Sequence, residues 1–291
     1  VKVCISCACS FNAFDWRCPS CEFTPPINKG FPSLAPAERS CADTGFDSEE
    51  FRRLAAVEAE SFWFQARNKL IIWALQKYFP NAQSLLEIGC GTGFVLSGIK
   101  KAYPKLSLYG SELSADGLGL AAQRLPGVPL MQMNALSMPF FNEFDVVGSF
   151  DVLEHIESDI DVLKQIYKSV SPGGGVLLTV PQHGFLWSHS DKLAGHFRRY
   201  SRPEMRRKLE LAGFQVEFAT SFVSVLLPIL FLQRAIAPVQ SNEKAAEALK
   251  PNKFVNNALG FTLDMERSTI KAGLSWPAGG SLLVVARRYG Y

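Results

Sequence analysis

Between Ser84 and Val180, short apolar runs alternate with segments whose apolar residues recur at helical spacing. That rhythm restricts the fold more than any other feature. The runs are Ser84 to Ile88, Leu106 to Ser111, Leu130 to Met133, Phe144 to Ser149 and Val176 to Val180. Such alternation predicts βαβ units and a parallel sheet covered on both faces, a doubly wound α/β architecture. Further strands are expected at Gln215 to Thr220 and Ser281 to Arg287. An insertion over about 222–276 separates them and carries an apolar stretch, Phe222 to Leu232, and a helix-like segment, Phe254 to Ala272. Upstream, Glu49 to Phe79 has helical spacing and stops at Pro80, which suits one or two helices. A chain of 291 residues, 47% hydrophobic and 20% charged, can bury one large core and one small one.

The first run leads into Leu86-Glu87-Ile88-Gly89-Cys90-Gly91-Thr92-Gly93, a turn without bulky side chains. Glycines between a strand and a helix N-terminus let a ligand lie against main-chain amides. A tight turn with no ligand is the bland reading. The spacing argues against two ligand types: Phe94-Val95 stands where a phosphate loop needs Lys-Ser/Thr, and Leu96 stands where the dinucleotide pattern needs its third glycine. At the end of the second run comes Glu112, followed by Leu113. An acid roughly 20 residues after a glycine turn can accept both hydroxyls of a ribose, where otherwise it is a solvated charge.

These motifs resemble the class I S-adenosylmethionine-dependent methyltransferases. LLEIGCGTG is similar to the family's first motif, Glu112 to its ribose acid, and Asn134-Ala135-Leu136-Ser137-Met138-Pro139-Phe140 to its adenine-side motif. Phe144-Asp145-Val146-Val147, Phe150-Asp151-Val152-Leu153-Glu154-His155 and Ser171-Pro172-Gly173-Gly174-Gly175-Val176 follow in the family's order. The resemblance covers about residues 60 to 287 and implies a seven-stranded, mostly parallel sheet with the last strand antiparallel. It also implies that Gly89, Cys90, Gly91 and Gly93 cradle S-adenosylmethionine and that Glu87 orients the loop or meets the methionine amino group. Glu112 and Leu113 then sit by the ribose, Asn134 and Ala135 by the adenine, and Phe150 and Asp151 by the amino-acid end. Many relatives carry Asp where Asn134 stands; an Asn meets the adenine amino group only through its carbonyl oxygen.

Phe62-Trp63-Phe64-Gln65-Ala66-Arg67-Asn68 resembles a lid helix of a type 11/12-like subgroup found beside saccharide and cell-envelope pathways, which implies cofactor contacts for Phe64 and Arg67. Core packing of these aromatics is the alternative. A guanidinium at Arg67 can bind a carboxylate bidentately. After the fifth run comes Pro181 to Tyr200, a segment holding His183, His189 and His196 out of four histidines in the chain. Loops at the carboxyl ends of parallel strands border the ligand crevice, so this segment should face the acceptor. His196, and after it His155, are the candidate bases for removing an acceptor proton. Equally, His196 and Arg199 can fix the loop through Asp191. Trp187, Asp191, Arg198, Arg199 and Tyr200 are candidate acceptor contacts, with Arg198 and Arg199 suited to a phosphate or sugar acid.

Cys4-x2-Cys7 and Cys18-x2-Cys21 are two knuckles that can present four thiolates to one structural Zn2+. Cys9 either replaces Cys7 or stays free. A redox dithiol would need a thioredoxin-like βαβ context that the segment lacks. Residues 1–30 are therefore read as a zinc-ribbon-like module, 31–47 as a linker rich in Pro, Ala, Ser and Gly, and 48–291 as the methyltransferase domain.

The expected function is methyl transfer from S-adenosylmethionine to an oxygen of a small molecule, favouring a saccharide or lipid-linked cell-envelope intermediate. An RNA methyltransferase gripping RNA through the zinc module is the alternative; a net charge of +3 and the lack of an Asn/Asp-Pro-Pro-Tyr-type motif after the fourth strand argue against it. A non-catalytic cofactor-binding module is the third reading. Phe222 to Leu232 falls short of a membrane span and contains Pro228, so it is read as a buried-core helix or as a lip touching a lipid carrier or membrane surface. The expected location is cytoplasmic, peripheral to the inner face of the membrane.

Overall fold

Side-chain alternation along the central strands decides how the chain is layered. The computed structural model describes residues 1–13, 15–35, 48–236 and 252–290. Most of the expected linker and part of the insertion, including 237–251, lie outside the described residues. Small hairpins open the chain: β1 (Lys2–Val3) pairs with β2 (Ser10–Phe11), and β3 (Ile27–Asn28) with β4 (Phe31–Pro32). The helical region upstream of the sheet is two helices, α1 (Ser48–Glu58) and α2 (Phe62–Tyr78).

The alternating region follows as β5 (Ser84–Ile88), α3 (Phe94–Ala102), β6 (Ser107–Glu112), α4 (Ala115–Arg124), β7 (Leu130–Gln132) and β8 (Phe144–Phe150). Then come α5 (Asp159–Ser169), β9 (Val170–Pro181), α6 (His189–Leu193), α7 (Arg202–Leu211) and β10 (Gln215–Phe222). The last elements are α8 (Leu227–Ile236), α9 (Lys253–Lys271) and β11 (Ser281–Arg287). The seven large strands form one sheet in the order β10-β11-β9-β8-β5-β6-β7. Strands β9, β8, β5, β6 and β7 pair in parallel, while β11 runs antiparallel to both β9 and β10, as the motif order implies.

Neighbouring residues on each strand bury on opposite faces. Leu86, Val147, Leu178 and Val284 join one core with α5 and α7, through Ile166 and Leu209. Leu85, Val146, Leu177 and Val285 join the other with α2, α3 and α4, through Ile71, Leu96 and Leu118. The order of strand addition reverses about β5: β6 and β7 build outward on one side, β8 and β9 on the other. The carboxyl ends of β5 and β8 therefore flank a topological switch point, the crevice where open α/β sheets take ligands.

The first 34 residues are fastened to β7 and to the loop that follows it. Leu34 N–H donates to the Gln132 carbonyl at 2.7 Å, Val3 N–H to that of Pro139 at 2.9 Å, and Phe141 N–H to that of Val1 at 2.9 Å. Trp16 meets Phe140 edge-on with ring centroids 5.6 Å apart. Strand β7 is short, and the bond to Gln132 occupies an edge that would otherwise invite pairing with another chain. The apolar stretch beginning at Phe222 divides: Phe222, Val223 and Leu226 are buried, whereas Ile229, Phe231 and Leu232 are more than half exposed. Its helical part is thus a surface element and not a core helix. Among the described residues, no helix is long and apolar enough to cross a membrane.

Candidate active site

The glycine turn leaves β5 at Gly89 with φ +65° and continues through Gly91 at φ +51°. A Cβ at Gly89 would stand 2.5 Å from Cγ2 of Val152, so this position is bare because the protein itself crowds it. At Gly91 a Cβ would meet nothing nearer than Phe51 Cε1 at 3.9 Å. That position is bare towards open space.

Glu112 ends β6 beside this turn. One carboxylate oxygen accepts Gly91 N–H at 3.1 Å, and the other accepts Leu113 N–H at 2.7 Å and Ser114 N–H at 3.1 Å. Burial still raises its pKa against these donors. Glu87, 2% exposed, has Oε2 buried without a hydrogen-bond partner. Burial pushes its carboxyl well above the usual carboxylate range, and the charge of Arg67 opposes that shift. A buried carboxyl oxygen without a donor fits a ligand that brings one. Burial also pushes the Cys90 thiol well up, so the turn holds no reactive thiolate.

Beside β8, Asp151 adopts a left-handed backbone at φ +58° and is ion-paired with the Arg67 guanidinium. Arg67 itself lies over the ring of Trp63, 4.5 Å from its centroid. Asn134 Oδ1 accepts Leu136 N–H at 2.9 Å, which fixes the amide direction and leaves its NH2 group and one oxygen lone pair for a ligand.

All of this opens onto a cavity of about 1570 Å³. Ligand pockets usually span roughly 300–1,000 Å³, so there is room for a nucleoside-sized cofactor and an acceptor together. The cavity also holds a polar corner. His155 and His196 meet edge-on with ring centroids 4.7 Å apart. His196 Nδ1 lies 3.0 Å from Asp191 Oδ1, and Asp191 also accepts Arg199 Nε at 2.8 Å and Ser188 N–H at 2.8 Å. Burial, then the neighbouring His196, draws His155 down to about 4, so it is neutral at physiological pH. Part of the remaining wall is apolar, formed by Phe62, Trp63, Leu226, Ile229, Leu230 and Leu259.

Of the expected cofactor residues, Phe64, Arg67, Glu87, Gly89, Cys90 and Gly91 line the cavity, as do Glu112, Leu113, Asn134, Ala135, Phe150 and Asp151. Gly93 does not; a Cβ there would press on Leu125 and Ala121, so it serves helix packing. On the acceptor side His155, Asp191, His196 and Arg199 line the cavity, whereas Trp187, Arg198 and Tyr200 do not. Arg198 and Tyr200 are spent on Asp159, at 2.9 Å and 2.8 Å, together with Lys208 at 2.5 Å.

Sequence reasoning missed one network altogether. Thr92 Oγ1 donates to Glu58 at 2.6 Å, and Arg124 bonds both Glu58 at 2.5 Å and the Thr92 carbonyl at 3.3 Å. It locks α1 over the glycine turn, with Phe51 and Leu54 of α1 entering the cavity wall. Nothing in the spacing of Glu58, Thr92 and Arg124 signals this, because the partners come from three separate elements.

The family model for a methyltransferase domain matches residues 56–218, which span the glycine turn, Glu112, Asn134 and the histidine corner. The chain belongs to this methyltransferase family. It is 24% identical over 169 residues to a Mycolicibacterium smegmatis protein described as a probable S-adenosylmethionine-dependent methyltransferase, covering 57% of this chain and 64% of that one. It is 25% identical over 142 residues to malonyl-[acyl-carrier protein] O-methyltransferase of Priestia megaterium, covering 46% of this chain and 52% of that one. The chain thus spans about half to two thirds of the lengths of these methyltransferases. In fold it is similar to Haemonchus contortus phosphoethanolamine N-methyltransferase 2, solved with phosphomonomethylethanolamine and S-adenosylhomocysteine. That match has a TM-score of 0.55 at 18% identity, over 85% of this chain and 58% of that one.

Proposed function

We propose that this chain transfers the methyl group of S-adenosylmethionine to an oxygen of a small acceptor with an apolar tail, in the class of saccharide or lipid-linked cell-envelope intermediates. One observation carries the reading: a single cavity joins the bare turn with its flanking carboxylates, the His155–His196 corner and an apolar wall. When bound, the cofactor supplies a methyl already activated on sulfur, so the protein's task is to align the acceptor and exclude water. Glu112 accepts the ribose hydroxyls on the lone pairs that its amide bonds leave. Glu87 receives the ammonium group, Asn134 meets the adenine edge, and Phe150 and Asp151 flank the amino-acid end with Arg67 holding Asp151. His196, whose Nδ1 is committed to Asp191, takes the acceptor proton at Nε2, with His155 beside it. Ile229 and Leu232, exposed and lining the cavity, with Phe231 exposed beside them in the chain, support an acceptor delivered on a lipid.

The cysteine segment, residues 1–30, is read as a module built on one structural Zn2+, joined by a linker to the domain from residue 48. Its four thiols fit the ion: Cys4 and Cys21 sulfurs are 3.6 Å apart, those of Cys7 and Cys18 3.7 Å apart. Bonds of about 2.3 Å to one tetrahedral zinc separate thiolates by about 3.8 Å. Cys9 lies outside this cluster.

Titration calorimetry with S-adenosylmethionine and S-adenosylhomocysteine tests the cofactor, and labelled methyl donor supplied with fractionated cell extract tests the acceptor. Heat with both nucleosides and label in an organic-extractable fraction are expected. Absence of heat refutes the cofactor reading; label in RNA, with binding that weakens steeply in salt, refutes the acceptor class.

A further inference from the structure

The polar corner holds more than a proton acceptor. One ligand atom each from Glu154, His155 and His196 lies within 4.8 Å of the others, and all three residues line the cavity. Resting on the methyl-transfer reading and deepening it, we propose that these residues bind one divalent first-row transition ion on the acceptor side of the site.

Three features separate this cluster from a chance meeting of polar side chains. Glu154 is 1% exposed, and its Oε2 is buried without a hydrogen-bond partner. A carboxylate oxygen in that position is costly unless a cation or donor reaches it. Each histidine is also oriented from behind. His196 Nδ1 is held by Asp191 at 3.0 Å, and the His155 ring is hydrogen-bonded to the backbone of Ala194. Ligating histidines are typically fixed in this way, the second ring nitrogen bonded to a carboxylate or main-chain carbonyl and the first left with its lone pair. Asp191 is anchored in turn by Arg199 Nη2 at 2.7 Å and by Ser188, so this outer support is rigid. Arg199 sits near the corner, but its guanidinium is committed to Asp191 and to the Gln182 carbonyl.

Two imidazoles and one carboxylate select zinc, iron, cobalt or nickel over magnesium or calcium, which prefer oxygen. Three protein ligands also leave at least one position for water or acceptor, as in catalytic sites. Such an ion lowers the pKa of the acceptor hydroxyl. The proton leaves to water, the freed oxygen lone pair forms the new bond to the methyl carbon, and the electrons of the breaking carbon–sulfur bond stay on sulfur. With the ion present, His196 is a ligand; without it, His196 is the proton acceptor.

The test uses the full chain loaded first with one equivalent of zinc, so that the soft thiolates are filled. Cobalt(II) is then titrated by calorimetry and visible absorption. One further equivalent should bind, with weak ligand-field bands and no thiolate charge-transfer band. Glu154→Gln and His196→Gln should each weaken binding by at least about 10-fold, and Asp191→Asn by about 10- to 100-fold. Thermal melts show which variants fold, and either ligand variant alone suffices. No cobalt binding by the zinc-loaded wild type, or binding unchanged in the folded variants, overturns the proposal. S-adenosylhomocysteine titrated into the same wild-type sample reads the parent hypothesis separately: its binding without cobalt sinks only the metal site, and cobalt binding without it sinks only the cofactor.

Discussion

Alanine at Gly89 and at Gly91 should do different things, because the two glycines are bare for different reasons. At Gly89 the substituent meets Val152 at 2.5 Å and 3.1 Å, with φ at +65°. A left-handed non-glycine residue costs about 1–2 kcal/mol, and forcing a methyl into packed surroundings costs about 1–3 kcal/mol more. Gly89→Ala should therefore lose about 2–5 kcal/mol of folding stability, and Val152→Ala in the same chain should restore most of the packing part. At Gly91 the new methyl has only Phe51 Cε1 at 3.9 Å. Stability should fall by only the backbone share, about 1–2 kcal/mol. The methyl then occupies space assigned to the cofactor, and a clash of about 1–3 kcal/mol corresponds to about 5- to 150-fold weaker binding. Denaturant melts measure the first quantity and calorimetry with S-adenosylhomocysteine the second. Gly91→Ala binding the nucleoside at wild-type affinity would refute the idea that this turn is open for a ligand.

Other outcomes follow from the same geometry. Arg67→Ala strands Asp151, and removing one partner of this partly buried ion pair should cost about 1–3 kcal/mol in thermal or chemical melts; no measurable loss would show the pair to be solvated. The folded-state pKa of Glu87 is raised, so its contribution to stability is present below the ordinary carboxylate range and is lost as pH rises towards that folded value. Glu87→Gln should flatten this slope. Because an ammonium group favours the ionised carboxylate, S-adenosylmethionine affinity should rise as pH rises through the folded-state value of Glu87, a pH dependence in calorimetry that vanishes in Glu87→Gln. Stripping zinc with a strong chelator should free Trp16 from Phe140 and loosen the main-chain bonds to Pro139 and Phe141, beside the Asn134 segment. A shift in tryptophan emission with weaker nucleoside binding is expected, and unchanged emission would argue against a metal-built module.

Local features survived the passage from sequence to structure where chemistry and chain position coincide. Strands β5 and β11 have the expected bounds, and β6 ends one residue beyond expectation, on Glu112 itself. The glycine turn, Glu112 and Asn134 line one cavity because each follows a strand of the parallel sheet, whose carboxyl ends share one edge. Strand β9 runs from Val170, well before the expected Val176, because a glycine run carries no apolar alternation. The apolar α8 looked like core because periodicity reports composition and not what lies opposite; its exposed face became legible only in three dimensions.

The order of elements, the bare turn, the acid at the second strand's end and the paired cysteine knuckles are properties of residues near one another in the chain, so sequence alone determined them. Tertiary structure decided which charges meet. It gave Arg67 to Asp151, gave Arg198 and Tyr200 to Asp159 and not to the cavity, and brought His196 to the neighbours Glu154 and His155. The physical reason is range: periodicity and turn chemistry act over a few residues, whereas pairing of buried polar groups depends on packing between elements far apart in sequence.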